Sequence, residues 1–96
     1  MALEALLLNP KDNVATAVRQ LESGQSITVK NGANNIHIDL IHEIHFGHKF
    51  AIRDIEPGEK IFKYGEVIGQ ATTKINKGEH VHVHNVEGLR GRGDRQ

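Results

Sequence analysis

Apolar residues dominate positions 3–8, and Asn9-Pro10 then ends the run. This predicts a first strand closed by a turn. Asp12 next stands where a helix N-cap would, with Val14, Ala15, Ala17, Val18 and Leu21 at helical spacing and Gly24 at the stop. One short helix is expected there. After it the rhythm changes to period two. A strand over 26–29, a turn at Asn31-Gly32, and Ile36, Ile38 and Leu40 alternating with His37 and Asp39 give the pattern of half-buried strands. Further short strands are expected over 50–52, 60–63, 67–71 and 81–85. The fold class is mainly β with one short helix (α+β).

A seven-residue phrase recurs within this pattern. Leu21-Glu22-Ser23-Gly24-Gln25-Ser26-Ile27 resembles Ile55-Glu56-Pro57-Gly58-Glu59-Lys60-Ile61 and Ile75-Asn76-Lys77-Gly78-Glu79-His80-Val81. Each copy is an apolar anchor, a turn closed by glycine, and a polar step into the next apolar residue. The spacings are unequal, so this is a reused turn and not a solenoid. The pattern stops after Asn85. Residues 87–96 hold one apolar residue, Leu89, and read as a flexible tail or a linker after a domain spanning 1–86.

Composition narrows the picture. Ninety-six residues make one domain, and twelve basic side chains balance twelve acidic ones, so no net field favours nucleic acid or an anionic membrane. The absence of cysteine removes disulfides and thiolate chemistry and fits a cytoplasmic setting. The apolar start is too short for a membrane span and lacks the basic flank of a signal peptide. Phe46, Phe50, Phe62 and Tyr64 are the only aromatic residues of the Phe, Trp and Tyr class, so the core is aliphatic and thin. Such a domain gains from a partner surface, either a larger protein part or further copies of itself.

The chain is rich in histidine, with seven. On a strand, His80, His82 and His84 would share one face and Val81 and Val83 the other, and alternate imidazoles can reach one divalent ion. The competing reading is a solvated polar face. His42, His45 and His48 form a second group, with Gly47-His48 placed at a strand entrance where it can meet a ligand or simply lie at the surface. Lys63-Tyr64-Gly65 offers a cation and a hydroxyl, or a plain turn. Arg90-Gly91-Arg92-Gly93-Asp94 has too few cations and no aromatic neighbours for nucleic acid, and reads as linker.

Taken in order, Gly47-His48-Lys49-Phe50-Ala51-Ile52-Arg53-Asp54-Ile55, Gly58, Lys63-Tyr64-Gly65, Ile68-Gly69 and Gly78-Glu79-His80-Val81-His82-Val83-His84-Asn85 resemble the SAF domain that opens altronate and galactarate dehydratases. The same unit is similar to the separate small subunit of sulfolactate sulfo-lyase. The resemblance runs over about residues 12–94. It departs at His45, where relatives carry proline; histidine there either frees the loop or adds a ligand.

The resemblance implies a SAF-like β-clip fold within a hydro-lyase that converts a sugar acid into a 2-keto-3-deoxy acid. It implies a divalent metal, Fe(II) foremost, bound mostly by a large catalytic domain or subunit that is this chain's partner. The chain alone is then expected to be inactive. His48, His82 and His84 are the implied catalytic residues, and His82 and His84 the implied metal ligands. Lys49, Lys63, Tyr64 and Asn85 are the implied substrate contacts. The alternatives are a substrate-binding or assembly module of the same fold, such as those appended to sialic acid synthases, the small subunit of a sulfolactate sulfo-lyase, and a stand-alone metal-binding protein that uses the histidine strand.

Overall fold

The computed structural model describes residues 4–31 and 34–88. Every regular element among them is a strand: β1 (Ala5–Leu6), β2 (Val14–Ala17), β3 (Ser26–Asn31), β4 (Asn34–Asp39), β5 (Lys49–Ala51), β6 (Lys60–Lys63), β7 (Glu66–Ala71), β8 (His80–Val81) and β9 (Val86–Glu87). They form a four-stranded sheet in the order β1-β2-β5-β8, a β3-β4 hairpin, and a three-stranded sheet in the order β6-β7-β9. All pairings are antiparallel.

The expected helix is replaced by β2, and this corrects the helical reading. Val14, Ala15 and Ala17 are all buried, but on opposite faces of the four-stranded sheet. Ala15 and Ala17 join the core cluster with Leu21, Ile27, Val29, Ile38, Leu40, Ile44 and Phe50. Val14 joins the other cluster with Ala51, Ile55, Ile61, Ala71, Ile75 and Val81. A strand buried on both faces loses its polar alternation and reads as a continuous apolar run, which spacing cannot tell from a helix. Asp12 does not cap a helix either. Its carboxylate accepts the backbone N–H groups of Tyr64 (3.0 Å) and Gly65 (2.8 Å), where Tyr64 takes a left-handed φ of 59° in the β6–β7 turn. Hydrogen bonds of this kind hold a non-glycine residue in a conformation it otherwise rarely adopts.

The recurring phrase is a structural unit. Its glycines Gly24, Gly58 and Gly78 all have φ between +83° and +88°, and its anchors Leu21, Ile55 and Ile75 are fully buried. A fourth copy, Ile44-His45-Phe46-Gly47-His48-Lys49-Phe50, has the same shape, with Gly47 at φ +85° and Ile44 and Phe50 fully buried. Anchors pair across the molecule through two backbone bonds each, Leu21 with Ile44 and Ile55 with Ile75. Each turn also grips one residue of another segment. The glycine N–H donates to that residue's carbonyl, whose own N–H returns to the turn, at Leu40, Ala17, Ala71 and Ala51 for Gly24, Gly47, Gly58 and Gly78 respectively.

The region expected as one strand over 81–85 is divided. β8 ends at Val81, and residues 82–85 turn into β9. Val81 is buried whereas Val83 is 81% exposed, so the two valines do not share a face. Asn85, fully buried, makes the turn: its Oδ1 accepts His82 N–H (2.9 Å) and its Nδ2 donates to the His80 carbonyl (2.9 Å). β9 carries the fold to Glu87, one residue past the expected domain end. Gly32 of the expected turn and residues 89–96 of the expected tail lie outside the described residues.

Candidate functional site

Strand pairing creates the one group of three or more potential metal-ligating side chains found among the described residues. β5 pairs with β8 so that Lys49 faces Val81 and Phe50 faces His80. This lays the His48 turn beside the His82 turn. The ring nitrogens of His48, His80 and His82 all lie within 4.8 Å of one another, with His48 and His80 half-buried and His82 exposed. His48 Nδ1 and His80 Nε2 are 3.0 Å apart. The three rings stack loosely, with centroid separations of 5.0 to 5.4 Å and interplanar angles of 12 to 20°.

Further imidazoles surround this trio. His84 lies 5.5 Å from the His80 ring, and His45 packs edge-on against His48 at 5.7 Å. The other His45 contact is outward, to Gln20 Oε1 at 3.1 Å. His42 Nδ1 accepts the His80 backbone N–H at 3.3 Å. Burial, reinforced by His48, His82, His84 and His42, pushes the His80 pKa down to about 4. Partial burial, then His82, His45 and Lys49, also lowers that of His48. Burial thus favours the neutral form of both rings, in which one nitrogen keeps its lone pair.

Cationic side chains complete one side. The half-buried Lys49 lines a shallow groove of about 250 Å³ with Ile68, His82, Val83, Val86 and Gly88. Desolvation lowers the Lys49 pKa, and the nearby charge of Lys63 adds to the effect. Lys63 Nζ also lies 5.1 Å from the centre of the exposed Tyr64 ring.

The structure thus brings together His48, His82, His84, Lys49 and Lys63 of the expected site, with Tyr64 beside Lys63. Asn85 stands apart, because burial commits its amide to the turn and leaves it no reach to a ligand. His80 was absent from the expected set, and its ring packs against those of His48, His82 and His84. The signal for it was the third turn: His80 steps from Gly78-Glu79 into a strand as His48 steps from Gly47 into β5.

Residues 3–89 match the altronate/galactarate dehydratase SAF domain. Altronate dehydratase of Bacillus subtilis (strain 168) is 36% identical over 80 residues, 83% of this chain and 15% of that protein. Altronate dehydratase of Escherichia coli (strain K12) is 37% identical over 83 residues, 86% of this chain and 16% of that protein. The (2R)-sulfolactate sulfo-lyase subunit alpha of Chromohalobacter salexigens is 36% identical over 90 residues, 91% of this chain and 96% of that subunit. The chain spans about one sixth of the length of these altronate dehydratases and nearly all of the sulfo-lyase subunit. With a family match across most of its length and the histidine-bearing turns at its centre, the chain belongs to the SAF domain family of altronate/galactarate dehydratases.

Proposed function

We propose that this chain is the small subunit or amino-terminal domain of a sugar-acid dehydratase of the altronate/galactarate type, and that it completes the substrate site of a large catalytic part. The observation that carries this reading is the cluster of His48, His80 and His82, of which His82 lines an open surface groove together with Lys49. A cluster this exposed does not enclose a substrate by itself, and the relatives named altronate dehydratase are matched over only 15% and 16% of their length.

Dehydration of a sugar acid removes the proton beside the carboxylate and expels a hydroxide from the next carbon; the resulting enol becomes the 2-keto-3-deoxy acid. Taking that proton puts a second negative charge next to the first, so cations must hold the carboxylate. Lys49 and Lys63 take that role, and the Tyr64 hydroxyl orients the substrate. A neutral His48 suits the base, and His82 or His84 the acid that accompanies the leaving hydroxide. The all-imidazole donor set fits Fe(II) or a similar divalent ion, which would be held by whichever of His82 and His84 is not the acid, with further ligands from the large part. When bound, such an ion supplies Lewis-acid stabilisation of the developing charge.

A second reading, the small subunit of a sulfolactate sulfo-lyase, is favoured by an equal identity across nearly all of that relative's subunit. Mixing the chain with its large part, iron(II) supplied anaerobically, and offering sugar acids and sulfolactate separates the two. Formation of a 2-keto-3-deoxy acid supports the first; release of sulfite and pyruvate supports the second. In both cases turnover should need both parts, and His48→Ala and His82→Ala should each lower it about 10²- to 10⁴-fold. Unchanged turnover without the chain, or in both variants, would leave it a binding or assembly module.

A further inference from the structure

We propose that His48, His80 and His82 form a three-nitrogen site for a first-row transition-metal ion that this chain builds alone, without ligands from a larger part. Two nitrogens bound at about 2.1 Å and about 90° to each other lie about 3.0 Å apart. The observed 3.0 Å between His48 Nδ1 and His80 Nε2 is such an edge. The three ligand atoms all lie within 4.8 Å of one another, and one ion at that distance spans about 4.2 Å, so a small inward shift completes the site. His82, the exposed ring of the three, supplies that shift while its backbone is held by Asn85.

The local architecture points the same way. In three of the four turns the residue after glycine closes the turn with its own side chain: Gln25 accepts Glu22 N–H, Glu59 accepts Glu56 N–H, and Glu79 accepts Asn76 N–H. In the fourth turn that position is His48, whose ring is directed to His80 instead. A position with a structural use in three copies has been given over to an imidazole in the one copy that faces the other histidines.

The donor set selects the ion. Three imidazoles, with no carboxylate or thiolate among them, suit zinc, iron(II), cobalt(II) or nickel(II), and not magnesium or calcium. Three protein ligands leave positions open beside Lys49 and its groove, where an oxygen of an anionic ligand can bind. This arrangement puts His48 and His80 beside His82 on the ion in place of His84 and ligands from the large part, and leaves the base of the reaction to another group. It holds or fails whatever reaction the assembled protein performs.

Titration of the untagged 96-residue chain with Co(II), followed by visible absorption, tests the site. One Co(II) per chain is expected, displaced by Zn(II) and unaffected by Mg(II). His48→Gln and His82→Ala should each weaken binding about 10-fold or more. His37→Ala should bind as wild type, since His37 sits on β4 paired with Asp39 at 3.2 Å. In the wild-type chain, Zn(II) should shift the imidazole nitrogen resonances of His48, His80 and His82 and leave those of His37 in place. Absence of one-to-one binding, wild-type affinity in both variants, or unshifted His48 and His80 resonances would each overturn the proposal.

Discussion

Among the described residues, the buried polar side chains Asp12, Asn13 and Asn85 all hold backbone groups in place. Asp12 holds the Tyr64-Gly65 turn, Asn13 bonds the Lys60 carbonyl and the Phe62 N–H, and Asn85 shapes the turn after β8. The hydroxyl of Thr16 on β2 is buried with no hydrogen-bond partner. Such a group costs about 1–3 kcal/mol of desolvation, whereas valine matches its shape without the polar atom. Thr16→Val is therefore expected to raise stability by about 1 kcal/mol, read as a higher urea midpoint at unchanged slope. The role of Asp12 shows why local reading fails at such residues. A carboxylate before an apolar run is the usual sign of a helix N-cap, and nothing near it in sequence names two N–H groups 52 and 53 positions away.

At the scale of elements, the turn unit decides both what was legible and what was not. Anchors, glycines and the strands entered from three of the turns follow from the sequence, because the positive φ requires glycine and the anchors require burial. β6 was legible to the residue, and β3, β4, β5 and β7 to within a few residues. The fourth copy was hidden because His48 replaces the Gln or Glu that closes the others. Returning that closure should stabilise the fold: in His48→Gln the new amide oxygen can accept the His45 N–H as Gln25 does for Glu22. A bond worth about 1 kcal/mol corresponds to a Tm rise of roughly 4–8 °C for a domain of this size. Thermal unfolding without metal, monitored by far-UV circular dichroism, checks this. An unchanged or lower Tm would mean that His48 contributes more to the turn than its contacts show.

At the scale of the molecule, the two core clusters lie on opposite faces of one sheet and are joined again where the Gly78 turn meets the end of β4. Gly78 donates its N–H to Ala51 and accepts one from Ile41, and a Cβ on it would overlap the Asp39 carbonyl oxygen. Gly78→Ala therefore meets both a steric clash and an unfavourable φ. It should cost about 3 kcal/mol or more, and urea unfolding should still be one transition, because both clusters share the four-stranded sheet. Two separated transitions would show that the clusters unfold independently. The same long-range geometry explains the partial legibility of the site. His48 and His82 stood out in sequence, but only the β5–β8 pairing reveals that His80 packs against both of them.

That pairing also sets an order on the making of the molecule. β5 is central in its sheet, yet one of its neighbours is β8, some thirty residues further along the chain. During synthesis β1, β2 and β5 can meet while β5 still presents an open edge, and that edge is covered only after Val81 has emerged from the ribosome. Until then the nascent chain exposes a pairing surface of the kind that invites association between copies. The histidine cluster comes into being at the moment the edge closes, so an assembled trio of rings marks a polypeptide that has passed its most vulnerable stage.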